Sequence, residues 1–196
     1  MLGRMRPGCT LTGRYGTMLH SYECVSDINI EREGALPMSS LAILILTKNE
    51  EDNIVDVVEN AKQCTPEVLV IDSGSTDKTV ELAQAHGARV CFRAWTDDFA
   101  AQRNFALEQT TADWVLYLDA DERLNDELIH SVKAVVDEGK LDCQFSMERK
   151  SVAFGTKFNH GVLKPDHVAR MFPRTTVTWV HKVHEHPECD LPLRSL

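Results

Sequence analysis

Short apolar runs recur along the chain, LAILIL (Leu41–Leu46), EVLVI (Glu67–Ile71), ARVCF (Ala88–Phe92) and WVLYL (Trp114–Leu118), and a helical pattern follows each of them. Runs of this length are too short for most helices and are bounded by polar residues, so each predicts a buried strand. After the first, NEEDNIVDVVENAKQC sets Ile54, Val57, Val58 and Ala61 at helical spacing behind an acidic first turn. KTVELAQAHG predicts a second helix closed by Gly87, and DDFAAQRNFALEQ a third. Asn125 is the expected cap of a fourth, which carries Leu128, Ile129, Val132, Val135 and Val136. Strands alternating with helices impose right-handed crossovers, hence an α/β fold with a mainly parallel sheet flanked by helices. Ligands of such sheets bind beyond the carboxyl ends of the strands.

Three polar sets should therefore share one rim. They are TKNE (Thr47–Glu50), DSGSTD (Asp72–Asp77) and DADE (Asp119–Glu122), which follow the first, second and fourth strands. Taken singly, each reads as a helix cap or turn, since Asn, Ser, Thr and Asp satisfy free amides. Taken together, clustered carboxylates repel unless a cation neutralises them. Asp119 and Asp121 would face opposite ways on an extended strand, so a turn beginning at Asp119 is needed to bring both toward one ion. Mg2+ or Mn2+ suits such a set, because these ions take few carboxylates and complete their shell with water and phosphate oxygens. A nucleotide diphosphate is the implied partner.

The bulk properties narrow the class. A chain of 196 residues carries enough apolar sequence for one domain, and a net charge of -9 argues against a nucleic-acid binder. No apolar run is long enough to span a bilayer and no signal-peptide core is present, so the expected location is cytoplasmic. The six cysteines form no C-x-x-C pair and read as reduced packing residues. Residues 1–37 are glycine-rich and lack apolar periodicity. They read either as a start-site artefact preceding a native Met38, the preferred account, or as a disordered native extension; the domain proper is expected to cover 38–196.

The ordered succession ILILTKNEEDNI, VLVIDSGSTDKT, FAAQRNFAL and WVLYLDADERL resembles glycosyltransferase family 2 on the GT-A fold, a Rossmann-like nucleotide-diphospho-sugar transferase architecture. Downstream, HGVLKPDHVARMFPR and VHE resemble a branch that includes bacterial lipopolysaccharide-core β-glucosyltransferases, and the likeness covers residues 41–186. The resemblance implies a nucleotide-sugar donor, a UDP-hexose in the first instance. Thr47 and Glu50 would sit near base and ribose, and Asp72 would accept from the uracil ring. Ser73 and Ser75 shape the donor turn, while Arg103 and Asn104 face the donor, with the Arg103 fork suited to phosphate oxygens. Asp119 would touch sugar or ribose, or share the metal with Asp121, the principal ligand.

The reaction so implied is inverting transfer to a carbohydrate or glycolipid hydroxyl, which needs a carboxylate base. Glu185, after the apolar stretch Val177–Val183, is preferred to Asp166 for that role. His181, His184 and His186 lack the companion Cys pair or H-E-x-x-H of an independent zinc site and are better placed to assist metal or acceptor. Trp95, Phe172 and Trp179 are candidates for a sugar platform or for the core. Lys157, Lys164, Arg170, Arg174 and Lys182 form a basic bias, suited either to a phosphorylated glycolipid at the inner membrane surface or to a solvated face. The chain stops soon after VHE, so a shortened nucleotide-sugar-binding remnant without transfer activity is the alternative. A haloacid-dehalogenase-like phosphatase is disfavoured because Arg123 stands where its D-x-D-x-T motif needs threonine.

Overall fold

The computed structural model describes residues 39–150 and 165–196, with the backbone of a short strand pair at 152–153 and 156–157. The expectation for residues 1–37 and the side chains of Lys157 and Lys164 lie outside the described residues. In chain order the elements are β1 (Leu41–Thr47), α1 (Ile54–Lys62), β2 (Val68–Asp72), α2 (Thr79–Ala85), β3 (Arg89–Phe92), α3 (Phe99–Glu108), β4 (Trp114–Asp119), α4 (Asp126–Glu138) and β5 (Gln144–Arg149). The short strands β6 (Val152–Ala153) and β7 (Thr156–Lys157) follow, then β8 (Asp166–Pro173), β9 (Thr178–Val180), β10 (His186–Glu188) and β11 (Leu193–Ser195).

The principal sheet has seven strands in the order β11-β5-β8-β4-β1-β2-β3. β1 pairs in parallel with β2 and β4, β2 with β3, and β11 with β5, while β8 runs antiparallel to both neighbours. The mainly parallel α/β architecture therefore holds, with β8 as the single reversed strand of that sheet.

Because successive side chains alternate across a strand, each central strand feeds two cores. Ile43, Ile45, Val68, Val70, Trp114, Leu116 and Leu118 face α1, α2 and α4. Ala42, Leu44, Leu69, Ile71, Val115 and Tyr117 face α3 and join Phe172 and Trp179. Each fully buried aliphatic of this kind contributes about 1.5–3 kcal/mol. The near-continuous apolar sequences of β1, β2 and β4 are thus the consequence of burial on both faces.

The helices differ in how they are encoded. α4 is capped at both ends: the Asn125 side chain accepts from Leu128 N–H, and Gly139 adopts φ 71° to end it. α1 begins at Ile54, later than the acidic run suggests, because the N–H groups of Asn53 and Ile54 both turn back to the Glu50 carbonyl. α3 buries Gln102 and Arg103 beside Ala100 and Ala106. Its polar buried face marks it as an element of a site rather than of the core alone.

Strand direction brings Thr47, Asp72, Asp119 and Arg149 to one rim as the last residues of β1, β2, β4 and β5. β8 enters at the same rim, since Asp166 pairs in register with Arg149.

Candidate active site

On the β1–β2 side the rim is knitted by short polar bonds. Asp72, 4% exposed, accepts from the N–H of Gly74 at 3.0 Å and of Ser75 at 3.1 Å. Gly74 takes φ +98°, which lets the chain turn back over the carboxylate. Ser75 Oγ in turn accepts from Asn49 N–H at 2.8 Å, and Asn49 Oδ1 accepts from Thr76 N–H at 2.8 Å. Glu50 N–H donates to Thr79 Oγ1, while the Glu50 side chain accepts from Asn53. The Thr47 hydroxyl is buried with no hydrogen-bond partner among the described residues. Ser73 is tied to α3, its Oγ accepting from Gln102 Nε2 at 3.1 Å.

The β4 side is built from charge. A turn closes with Glu122 N–H donating to the Asp119 carbonyl at 3.0 Å, and Glu122 Oε2 accepts from Asp119 N–H at 3.1 Å. Asp119 Oδ1 accepts from Arg103 Nη2 at 3.2 Å, and its Oδ2 accepts from Arg170 Nη2 at 2.8 Å. Arg170 also reaches Glu122 Oε1 at 2.8 Å, and Arg149 joins Glu122 at 3.8 Å to Asp166 at 2.8 Å. Arg103 Nε donates to Glu185 Oε1 at 3.1 Å. Burial alone would raise the carboxyl of Asp119, but Arg170 and Arg103 outweigh it and hold it below the usual carboxylate range. The two bonds from Arg149 likewise lower Asp166.

Each residue singled out in the sequence now has a place. Asp119 and Asp121 do lie in a turn, and Asp121 is exposed, with no hydrogen bond or ion pair to any described residue. Asp166 is committed to Arg149 through both oxygens. Glu185 engages one oxygen with Arg103 and lies in a turn where His181 and His184 take φ 66° and 57°. Asn104 spends both ends of its amide on the Trp179 backbone, at 2.8 and 2.9 Å. Arg103 lies against the ring of Trp179, 4.6 Å from its centroid. Phe172 and Trp179 are core residues packed on Tyr117, whereas Trp95 stacks edge-on with Phe99 at 4.6 Å. His181 and His186 pair ring to ring at 5.0 Å.

Arg170, Arg149 and Glu122 complete the network, and sequence reading did not assign them to it. Glu122 was visible as the third acid of DADE; Arg170 had only its place in the basic bias as a signal. The cleft beside the turn, of about 860 Å3, is lined by Asp119, Asp121, Glu122, Arg149 and Arg170 over apolar Leu118, Met147 and Val168.

The charges test whether a divalent ion fits. Arg103, Arg123, Arg149, Lys150 and Arg170 stand against Asp119, Asp121, Glu122, Glu127, Glu148, Asp166 and Glu185, so five positive and seven negative groups leave two negative charges uncompensated. One Mg2+ or Mn2+ matches that excess, and unpaired Asp121 is the carboxylate able to receive it. Among the described residues no group of three His, Cys, Asp or Glu side chains gathers as a metal cage. No helix among them is long and apolar enough to cross a membrane.

Comparison with known proteins agrees with this architecture. The family Glycosyl transferase family 2 matches residues 42–180. An uncharacterized glycosyltransferase of Rickettsia typhi is 39% identical over 98 residues, covering 50% of this chain and 33% of the relative. The lipopolysaccharide core biosynthesis glycosyltransferase LpsC of Rhizobium meliloti is 35% identical over 111 residues, covering 53% of this chain and 40% of LpsC. The chain thus spans about a third of the length of the Rickettsia relative and two fifths of LpsC. Among solved structures, S. aureus TarS 1-349 in complex with UDP superposes with a TM-score of 0.52 at 25% identity, over 63% of this chain and 38% of that one. It shares the GT-A fold.

Proposed function

The chain belongs to glycosyl transferase family 2, and from that premise we propose that it transfers a hexose from a UDP-sugar to a carbohydrate or glycolipid hydroxyl, with inversion and with Mg2+ or Mn2+. One observation carries the reading: at the carboxyl ends of the parallel strands Asp72 is held in a turn, and Asp119, two residues before the unpaired Asp121, shares Arg103 with Glu185. The UDP complex of TarS supports the choice of donor.

In this reading Asp72 and the unpartnered Thr47 hydroxyl receive the base, with Glu50 beside the ribose and Ser73 and Ser75 fixing the turn around them. Asp121 holds the divalent ion, and Asp119 orients the sugar or ribose. When bound, the ion supplies Lewis-acid stabilisation to the departing diphosphate. Glu185 takes the proton of the acceptor hydroxyl as that oxygen attacks from the face opposite the diphosphate. One Glu185 oxygen is held by Arg103 and the other is available to the proton, whereas both Asp166 oxygens are occupied by Arg149. That difference favours Glu185 as the base.

The name of LpsC supports a role in lipopolysaccharide or related envelope glycan synthesis. A glycolipid acceptor would bring a cytoplasmic enzyme to the inner membrane surface as a peripheral protein. Residues 38–196 form the transferase domain in this reading, and residues 1–37 an appended extension.

Calorimetric titration of UDP and UDP-glucose, with Mn2+ and with EDTA, tests the assignment. Metal-dependent binding to the wild type that is lost in Asp121→Ala is the expected result. No binding under any metal condition would sink the UDP-sugar reading, and binding without transfer across an acceptor screen would leave a donor-binding module.

A further inference from the structure

Three consecutive residues of α3 reach three different parts of the rim. Neighbours on a helix point about 100° apart, so Gln102, Arg103 and Asn104 fan outward instead of sharing a target. Gln102, fully buried, donates to Ser73 Oγ at 3.1 Å and to the Arg93 carbonyl at 2.9 Å, which ties α3 to the loops after β2 and β3. Asn104 locks both backbone groups of Trp179 in β9. Arg103 stands between them, donating to Asp119 at 3.2 Å and to Glu185 at 3.1 Å.

The surroundings of Arg103 decide what it can do. Its side chain is 6% exposed and stacks on Trp179, with its guanidinium carbon 5.5 Å from the Tyr117 ring centroid. The Tyr117 hydroxyl donates to its backbone carbonyl at 2.9 Å, so stem, head and backbone are all fixed. Two of its nitrogens are spent on carboxylates, and Nη1 is buried without a partner among the described residues. A guanidinium so enclosed is poorly placed to wrap a diphosphate that arrives at the rim from solvent. It is well placed to set the distance between two carboxylates contributed by segments 66 residues apart, Asp119 at the end of β4 and Glu185 beyond β9.

We infer that Arg103 is a positioning residue: anchored by Gln102 and Asn104 on either side, it registers the base Glu185 against Asp119 and leaves donor affinity to the β1–β2 rim and to Asp121. This rests on the functional reading above, since Glu185 must be the base. A planar fork with two committed donors holds both acids in one geometry, which an ammonium cannot do. Misplacing a reacting group by about 1 Å costs on the order of 100-fold in rate.

The experiment compares wild type, Arg103→Gln, Arg103→Lys, Glu185→Gln and the Arg103→Gln/Glu185→Gln double variant. UDP affinity is read by calorimetry with Mn2+, and turnover as release of UDP from UDP-glucose, UDP-galactose or UDP-GlcNAc with water as acceptor. The expected result is UDP affinity unchanged in both Arg103 variants, kcat lowered about 100-fold in each, and a double variant no slower than Glu185→Gln alone. Arg103→Lys keeps the charge and the stem, so it reports on geometry even if Arg103→Gln fails to fold. A loss of UDP affinity of about tenfold or more in Arg103→Lys would mean that the arginine grips phosphate, and would overturn the inference. Multiplicative losses in the double variant would overturn it as well. A wild type that releases no UDP from any of the three donors would instead overturn the functional reading, and this inference with it.

Discussion

The two halves of the rim satisfy their carboxylates by different means. On the β1–β2 side, Asp72 is held by backbone N–H groups two and three residues away. On the β4 side, Asp119 is held by Arg170 and Arg103, 51 and 16 residues away, and Glu185 by an arginine 82 residues away. The first half is a turn around Asp72, tied to the loop after β1 through Asn49 and Glu50. The second is a lattice of buried charge that exists only once distant segments have met. A cradle whose buried carboxylate is held by backbone amides suits recognition of a common nucleotide portion, while a long-range lattice of ion pairs suits alignment of the reacting groups.

The contrast is broken most severely at Arg170. Arg170→Ala strands Asp119 and Glu122 beside each other, and removal of one partner from a buried pair costs about 3–5 kcal/mol. Because the Asp119 side chain is 35% exposed, water offsets part of this and a loss of about 3 kcal/mol is expected from urea unfolding. The pH profile sharpens the same point. Asp119 has a lower pKa folded than unfolded, so its contribution is fully present above the unfolded value of about 3.9 and is lost as pH falls through the folded value. Acid titration of Asp119→Asn should lack that component, leaving a shallower loss of stability below pH of about 4 than in wild type.

On the donor side the expected losses are smaller. Asp72→Ala frees the N–H groups of Gly74 and Ser75 and should cost about 2 kcal/mol, in the range for hydrogen bonds to a charged group. Unlike the Arg170 variant, it should weaken UDP binding in calorimetry more than it disturbs the β8–β9 region. The smallest effect belongs to the outer edge of the lattice. Arg149→Ala breaks a half-exposed pair with Asp166 and should change stability by less than about 1 kcal/mol, diminishing further in high salt. A larger loss would mean that the charge lattice extends to the surface.

The same division explains what could be read in advance. The strand ends Thr47, Asp72 and Asp119, the Asn125 cap and the turn at Gly74 depend on neighbours in sequence, and their residue types announce them. The reversed strand β8 does not announce itself, because HVARMF sets apolar pairs between single polar residues instead of alternating, and nothing local says that it wedges antiparallel between β4 and β5. Arg170 was legible only as part of a basic bias, since its partners lie about 50 residues earlier. Arg103 and Asn104 read as donor-facing from the resemblance, and the partners they take within the chain, Asp119, Glu185 and the backbone of Trp179, could not be read from it. Helix α3 conceals this because its buried face is polar, so apolar periodicity says little about which of its residues point inward.

The late position of β8 also sets an order of assembly during synthesis. The strands β1 to β4 are complete at Asp119, while Arg170 lies 51 residues further along the chain. At a synthesis rate of roughly 5–20 residues per second, that separation is about 3–10 s in which the nascent chain carries Asp119 without its arginine from β8. In the proposed function the β1–β2 rim would thus be complete before β8 supplies Arg170 to the β4 side, and nucleotide bound there would stabilise the nascent half-sheet through that interval.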